Sequence, residues 1–345
     1  MSLHPSSTPT RDTPAPPRGS ASVTVAVVTY RRNGDLAELL PHLIRQAHEA
    51  ATLGHTCGVL VVDNDPDMGA RPLVEEFSAR GGDVTVRYAH EPEPGIAAAR
   101  TRALDACDTD ILVFIDDDEI PCEGWLTQLI ATHAATGAAA VAGPVEPTYP
   151  EQTPTRRLSP WIVDGPFHAS PDITDGALLT HAATSNLLLD MRQVRSLGVR
   201  MPAVGTRGGE DVIFTDRITR AGGEIIWCRR AFVTETVPDH RLRTGWVLTR
   251  SMIDGSNESS RRLDPAASRS VGRRLGLTGA GALRIGAGLA RVAVGAARRS
   301  PSNVGGGLHT LMRGSGMCLG AWDIVHDGYP RTGRPRWRRA LTREG

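Results

Sequence analysis

The sequence predicts an α/β fold: a mostly parallel central sheet flanked by helices, followed by a basic helical arm at the carboxyl terminus. Three observations predict it. Short apolar runs rich in Val and Ile alternate with helix-period segments through the first half, the pattern of βαβ units. Polar residues follow three of those runs directly, at Thr29-Tyr30-Arg31, Asp63-Asn64 and Asp116-Asp117-Asp118. After about Ser256 the composition shifts to Gly, Ala and Arg. Ligands of open parallel sheets bind beyond the carboxyl ends of the strands, so three strands delivering polar groups to one edge is a functional signal.

The elements follow in order. Residues 1–21, rich in Pro, Ser and Thr and without the apolar run of a signal peptide, are expected to form a disordered tail. The main domain is expected over residues 22–255 and the arm over 256–345. Residues 23–29 are an apolar, β-branched first strand suited to burial on both faces. Asn33 or Asp35 can cap the helix that follows, to about Ala50. A second strand is expected at 58–62, a helix at 73–79, a third strand at 84–88, a helix at 95–106, a fourth strand at 111–115 and a helix at 123–133. The second half is less regular. Proline-rich residues 148–175 read as a long loop over the cleft, residues 182–189 as a strand, and Gly208-Gly209 as the opening of a helix toward Ala221. Strands near 224–227 and 232–236 precede a helix from about His240.

Bulk properties narrow the class. A chain of 345 residues that is 40% hydrophobic can bury a full-sized core. Cys57, Cys107, Cys122, Cys228 and Cys318 form no CxxC pair, which argues against a zinc site or a disulfide framework and fits a reducing cytoplasm. No uninterrupted apolar stretch reaches the ~18 residues of a spanning helix. The net charge of +1 hides an asymmetry: from Arg261 to Gly345, 16 Arg face four acidic residues, a net of +12, which leaves −11 for the first 260 residues. A basic arm on an acidic body implies a negatively charged partner for the arm.

The strongest local signal is Phe114-Ile115-Asp116-Asp117-Asp118-Glu119 directly after a buried strand. Adjacent carboxylates repel one another and are costly unless a cation compensates. Mg²⁺ or Mn²⁺ suits the position, because such ions bind through one or two carboxylates plus substrate phosphates. Alternate residues of an extended segment point the same way, so Asp116 and Asp118 could share a partner while Asp117 points elsewhere. An acidic turn capping the next helix is the alternative.

From about Val23 to Arg250 the chain resembles the family 2 glycosyltransferases of the GT-A fold, the large inverting group that builds polysaccharides and glycosylated natural products. The resembling segments are VAVVTYRRNGDLAELLPHL, VLVVDND, EPGIAAARTRALDAC, DILVFIDDDEIPCEGWL, ATSNLLLD and RGGEDVIFTDRITRAGG, in the family's order over about two thirds of the chain. The resemblance implies a nucleotide-diphosphate-sugar donor. It assigns Thr29, Tyr30 and Arg31 to the segment wrapping the nucleoside, and Asp63 to the pyrimidine ring, which favours UDP or dTDP, with capping of a loop as the alternative for Asp63. It places Arg100 near base and ribose, with pairing on a helix surface as the alternative, and Asp117 toward the ribose. It also makes Asp116-Asp117-Asp118 the Asp-any-Asp metal motif, with Asp118 as ligand. Glu210-Asp211 resembles the family's Glu-Asp pair, in which the second acid is the base.

The reaction demands these parts. A diphosphate leaving group carries negative charge that a divalent cation stabilises, and the attacking hydroxyl must surrender a proton, for which a carboxylate such as Asp211 is suited. First-turn acids favoured by the helix dipole are the alternative for Glu210 and Asp211. His240 is a candidate third metal ligand or a surface histidine. The resemblance also makes Ser185, Asn186, Trp246 and Arg250 candidates for the acceptor side, the last two as a divergent version of the family's late Arg/Trp segment at His240-Arg241-Leu242-Arg243 to Arg250, with packing as the alternative for Ser185, Asn186 and Trp246. The polymerase-type Gln-any-any-Arg-Trp motif is absent, which argues against a processive synthase.

In the arm, Arg284, Arg291 and Arg298 recur every seven residues, while Ile285, Leu289, Val292 and Ala296 can share another helical face. A helix of that kind could lie on an anionic membrane surface at the inner face of the cell membrane, or dock on the catalytic domain or a second subunit. Nucleic acid is not expected as a partner, because the arginines are not interleaved with stacking aromatics apart from Trp337. The rival functions are a sugar-nucleotide nucleotidyltransferase, for which TYRRNGD is a poor match to the Gly-rich loop required, and a non-catalytic nucleotide-binding scaffold. A nicotinamide oxidoreductase is excluded, since no GxGxxG follows the first strand.

Overall fold

The computed structural model describes residues 20–80, 82–149, 160–163, 170–203, 208–263, 270–327 and 336–339. The expected tail before residue 20, most of the proline-rich segment 148–175 and most of 331–345 lie outside them. The first half alternates as expected: β1 (Ser22–Thr29), α1 (Asn33–Thr52), β2 (Thr56–Asp63), α2 (Arg71–Ala79), β3 (Thr85–His90), α3 (Ile96–Ala106) and β4 (Ile111–Asp116). Then come β5 (Glu119–Pro121), α4 (Trp125–Thr136), β6 (Ala140–Ala142), β7 (Val145–Thr148), α5 (Pro160–Val163), β8 (Leu178–Leu179), β9 (Asn186–Asp190), α6 (Met191–Ser196), α7 (Glu210–Arg220), β10 (Ile225–Trp227) and β11 (Val233–Thr236). After a 3-10 turn at Asp239–Leu242 the chain ends in α8 (Thr244–Arg262), α9 (Val271–Ala297), α10 (Pro301–Gly320), β12 (Ile324–Asp327) and β13 (Arg336–Arg339).

The main sheet has the order β3-β2-β1-β4-β9-β6-β10-β8. Strands β3, β2, β1 and β4 are parallel, β9 enters antiparallel between β4 and β6, and β10 again runs parallel to β6. The side-chain period of two splits each strand between two apolar layers. Val25, Val59 and Val113 meet Leu36, Leu40 and Leu43 of α1 and Trp125 of α4. Ala26, Leu60 and Phe114 meet Ala99 of α3 and Phe214 of α7. Burial on both faces explains why these strands read as continuous apolar runs. A small sheet, β5-β11-β7, sits beside the acidic triplet.

Several expectations are corrected. Neither Asn33 nor Asp35 caps α1; the cap position is Arg32, with no side-chain capping bond, and Asn33 instead donates to the Gly69 carbonyl at 2.8 Å. The strand expected over 182–189 begins only at Asn186, because the backbone N–H and C=O of Ala182 are both held by the Thr215 hydroxyl, at 3.0 and 2.8 Å, and not by a neighbouring strand. The boundary placed at Ser256 falls inside α8. Here composition changes but packing does not: α8 lies against α10 so closely that a Cβ on Gly316 would sit 1.8 Å from the Met252 carbonyl oxygen. On α9, Ile285 and Val292 face α10, while Leu289 and Ala296, expected on the same face, are exposed.

Candidate active site

The edge where β1 and β4 end collects the candidate side chains, and the strand geometry sorts them. Thr29, the last residue of β1, donates from its hydroxyl to Asp117 at 2.8 Å, in the interior. Asp117 is thereby turned inward and only 7% of its side chain is exposed, against 36% for Asp116 and 23% for Asp118. Arg32 donates to Asp117 at 2.9 Å and to Asp118 at 2.7 Å, crosslinking the β1 turn to the triplet. Burial pushes the Asp117 carboxyl up to about 6, against the opposing pull of Arg32 and the Thr29 hydrogen bond. Burial also raises Asp116, with Arg100 opposing it and the charges of Asp118 and Asp211 adding to the rise.

Arg100 joins the two halves of the site. It is buried on α3, donates to Asp116 at 3.1 Å, and pairs with Glu210 at the first turn of α7. The other Glu210 oxygen, Oε2, is buried and has no hydrogen-bond partner among the described residues. Burial raises the Glu210 carboxyl, opposed by Arg100 and reinforced by Asp211. Asp211 is half-buried beside it at the start of α7. Gly208 and Gly209 lead into that helix with φ of 80° and 81°, a region that favours glycine. A Cβ on Gly209 would also meet the Asn257 side chain of α8 at 2.9 Å.

Four residues given no site role of their own from the sequence complete the edge. Arg32 is one. Glu119 is buried and accepts from the Asp116 N–H at 3.0 Å; burial, with Asp116 adjacent, holds its carboxyl well above the usual range. Glu235 on β11 is raised by burial and pairs with Arg241, which also lies 4.0 Å from Asp118 and over the Trp246 ring at 5.8 Å. Among the described residues, the ion pairs of this cluster of acids, Asp116, Asp117, Asp118, Glu119, Glu210, Asp211 and Glu235, are made with Arg32, Arg100 and Arg241. The doublets Arg31-Arg32 and His240-Arg241 offered a signal, but neighbours on an irregular turn cannot be ranked without its geometry.

Other expected residues are placed differently. Asp63 is fully buried and accepts from the backbone N–H of Asp65 and of Ala70, each at 2.9 Å, and from the Tyr88 hydroxyl at 3.1 Å; it shapes the β2 turn and offers no surface to a base. Arg100 is engaged with carboxylates, not directed to a base or ribose, because burial demands charged partners for it. His240 is exposed and joins no ligand set; its neighbour Arg241 turns toward the triplet instead. Asn186 is buried, accepting from the Trp125 indole at 2.9 Å and donating to the Pro144 and Ala231 carbonyls, so it ties strands together. Ser185 is half-buried beside it. Trp246 packs with Trp161, Ile162 and Val247, and Arg250 pairs along α8 with Asp254 at 3.1 Å. Tyr30 is 40% exposed at the rim. Arg31, at a φ of 56°, reaches Asp65 at 3.0 Å and Asp67 at 2.8 Å.

Among the described residues no three His, Cys, Asp or Glu side chains converge on a ready-made metal cage. The chemistry of the donor set still fits Mg²⁺ or Mn²⁺. Asp116 and Asp118 are the partly open carboxylates of an acid-rich edge, and ions of this type take few protein ligands when substrate phosphates supply the rest.

Comparison with known proteins adds a second line of observation. Residues 24–195 match the model of glycosyl transferase family 2. The chain is 35% identical over 241 residues to the succinoglycan biosynthesis protein ExoM of Rhizobium meliloti (strain 1021), covering 69% of this chain and 74% of that protein. It is 28% identical over 252 residues to the pre-mycofactocin glycosyltransferase of Mycobacterium tuberculosis (strain ATCC 25618 / H37Rv), covering 70% of this chain but 48% of that protein, so it spans about half of that relative. Among solved structures, S. aureus TarS 1–349 superposes with a TM-score of 0.48 at 13% identity, over 84% of this chain and 90% of that one.

Proposed function

The chain belongs to glycosyl transferase family 2, with the GT-A α/β fold, and from that premise we propose that it transfers a sugar from a UDP- or dTDP-sugar to a hydroxyl acceptor with inversion, in polysaccharide, lipid-linked glycan or natural-product biosynthesis. It is a glycosyltransferase; the donor, the acceptor setting and the residue roles are the proposal. Membership of this family leaves no support for a nucleotidyltransferase, and Asp116, Asp118 and Asp211 are all in place, contrary to what a degenerate scaffold would retain.

The observation that carries the reading is the Arg100 bridge, which ties the strand-end Asp116 to the helix-start Glu210. It supports reading the strand-end acids and Asp211 as parts of one site. Asp116 and Asp118 would hold Mg²⁺ or Mn²⁺, which when bound supplies positive charge to the departing diphosphate. Asp211 takes the proton of the acceptor hydroxyl as its oxygen bonds to the anomeric carbon; the anomeric carbon–phosphate oxygen bond breaks and its electron pair leaves with the nucleoside diphosphate. Arg100 and Glu210 are positioning residues that hold the start of α7. Arg32 and Arg241, now on carboxylates, are the cations available to diphosphate oxygens. Tyr30 offers an exposed ring to the base, a contact that Asp63 cannot make. The basic arm is read as facing an anionic membrane surface at the inner face of the cell membrane.

The test is donor hydrolysis across a panel of nucleotide sugars, with and without a chelator. Hydrolysis of a UDP- or dTDP-sugar is expected, lost on chelation and restored by Mg²⁺ or Mn²⁺. Undiminished turnover in metal-stripped protein would remove the metal role of Asp116 and Asp118. Release of pyrophosphate from a nucleoside triphosphate would overturn the reaction class.

A further inference from the structure

Helix α9 carries its polarity in reverse for a helix facing water. It packs on α10 through Gly281, Gly288 and Gly295, where an added Cβ would lie 2.6–2.7 Å from atoms of α10. Arg284 reaches the Met317 thioether, and the Arg291 guanidinium lies across Gly306, so these arginines turn toward α10. On the opposite side, over an arc of roughly 140° at the α-helical pitch, every residue from Val271 to Ala297 is exposed and is Gly, Ala, Val or Leu. Leu283 is 78% exposed, Val271 61%, Leu275 57%, Leu289 55% and Val294 48%. Beside them Trp322, 41% exposed, donates its indole N–H to Thr278 of α9 at 3.1 Å. Elsewhere among the described residues, large exposed apolar side chains stand singly, as at Leu53 and Leu178. A continuous stripe of this kind marks an interaction surface.

Charge selects the occupant. Exposed Arg273 stands at one end of the stripe and exposed Arg298 and Arg299 at the other. The segment from Arg261 onward carries a net +12 against −11 for the rest. We propose that the exposed Leu/Val face of α9, bracketed by these arginines, seats in the plane of an anionic lipid bilayer, with the guanidinium groups at the headgroups. Apolar faces edged by cations are how interfacial helices bind, and a tryptophan with one bonded end suits the same depth. By length and composition alone α9 could also cross a bilayer. Its lengthwise packing on α10, which in turn lies on α8, leaves one side of it for lipid and places it along the surface. That this brings a membrane-borne hydroxyl acceptor to Asp211 rests on the glycosyl-transfer reading; the membrane contact itself does not.

The test is flotation of the full chain with vesicles of phosphatidylcholine alone or mixed with phosphatidylglycerol. The parent is expected to float with the anionic vesicles. Leu283→Gln with Leu289→Gln is expected to weaken that binding roughly a hundredfold, and Arg273→Gln with Arg298→Gln to lower the anionic preference by roughly tenfold or more. Thermal melting and vesicle-free donor hydrolysis should stay as in the parent, since all four side chains lie outside the catalytic edge. Flotation of the leucine variant as strong as that of the parent overturns the proposal. So does a parent that floats with neither vesicle but is a dimer dissociated by the leucine substitutions, which would make a second copy the occupant. Loss of donor hydrolysis in parent and variants alike would strike the catalytic reading and leave the flotation result standing.

Discussion

Single carboxylates along this edge differ by what they face. Asp117 is held by Thr29 and Arg32 in the interior, whereas Asp211 keeps an exposed share at the start of α7. Asp211→Asn is therefore expected to reduce sugar transfer by about 10²–10⁴-fold while donor affinity stays within about twofold; equal rates for variant and parent, in a transfer assay with matched donor binding, would remove the base role. Asp118→Ala should weaken nucleotide-sugar binding in the presence of Mn²⁺ and change little in its absence, a contrast that calorimetry reads directly. The aspartate triplet and the Glu-Asp pair were legible from the sequence, because adjacent acids after an apolar run are conspicuous in any context. Asp63 and Asn186 were not. A carboxylate or amide at a strand end looks the same on paper whether it meets a ligand or backbone N–H and C=O groups, and only burial decides.

At the level of elements, the strand–helix alternation was readable because burial on both faces leaves continuous apolar runs, and the fourfold parallel block β3-β2-β1-β4 follows from it. The antiparallel entry of β9 was not readable, since pairing direction depends on the path of the preceding loop. The turn from β9 into α6 yields a pH prediction. Asp190 caps α6 through the backbone N–H of Arg192 and Gln193, both at 3.0 Å, and meets His133 at 3.2 Å. Burial would raise its carboxyl, but the hydrogen bonds from His133 and Gln193 hold it at about 2. A folded-state value below the unfolded one contributes stability that is present above about pH 4 and lost as pH falls toward 2. Asp190→Ala should cost roughly 1–2 kcal/mol at neutral pH, and its deficit against the parent should shrink between about pH 4 and pH 2 in denaturant titrations. A pH-independent deficit would leave only a packing role.

Across the whole molecule, the arm is continuous with the catalytic body. Helix α8 crosses the compositional boundary at Ser256 and packs on α10, which packs on α9. Gly316→Ala places a methyl where the Met252 carbonyl oxygen stands, 1.8 Å from the ideal Cβ position. It is expected to cost about 1–3 kcal/mol by overpacking and to lower the melting temperature, with the donor site intact by calorimetry; a melt equal to that of the parent would show that α8 and α10 separate freely. By itself the sequence determined the α/β class, the family, the acidic triplet and the Glu-Asp pair, because all of these are local patterns of charge and apolar periodicity along the chain. Tertiary structure alone decided that Arg100 bridges the two acidic segments, that Arg32 and Arg241 and not His240 meet the triplet, and which way α9 faces. Each of those depends on which surfaces distant segments bury against one another, and an unpaired charge or an exposed leucine acquires its meaning only from the partner across the gap.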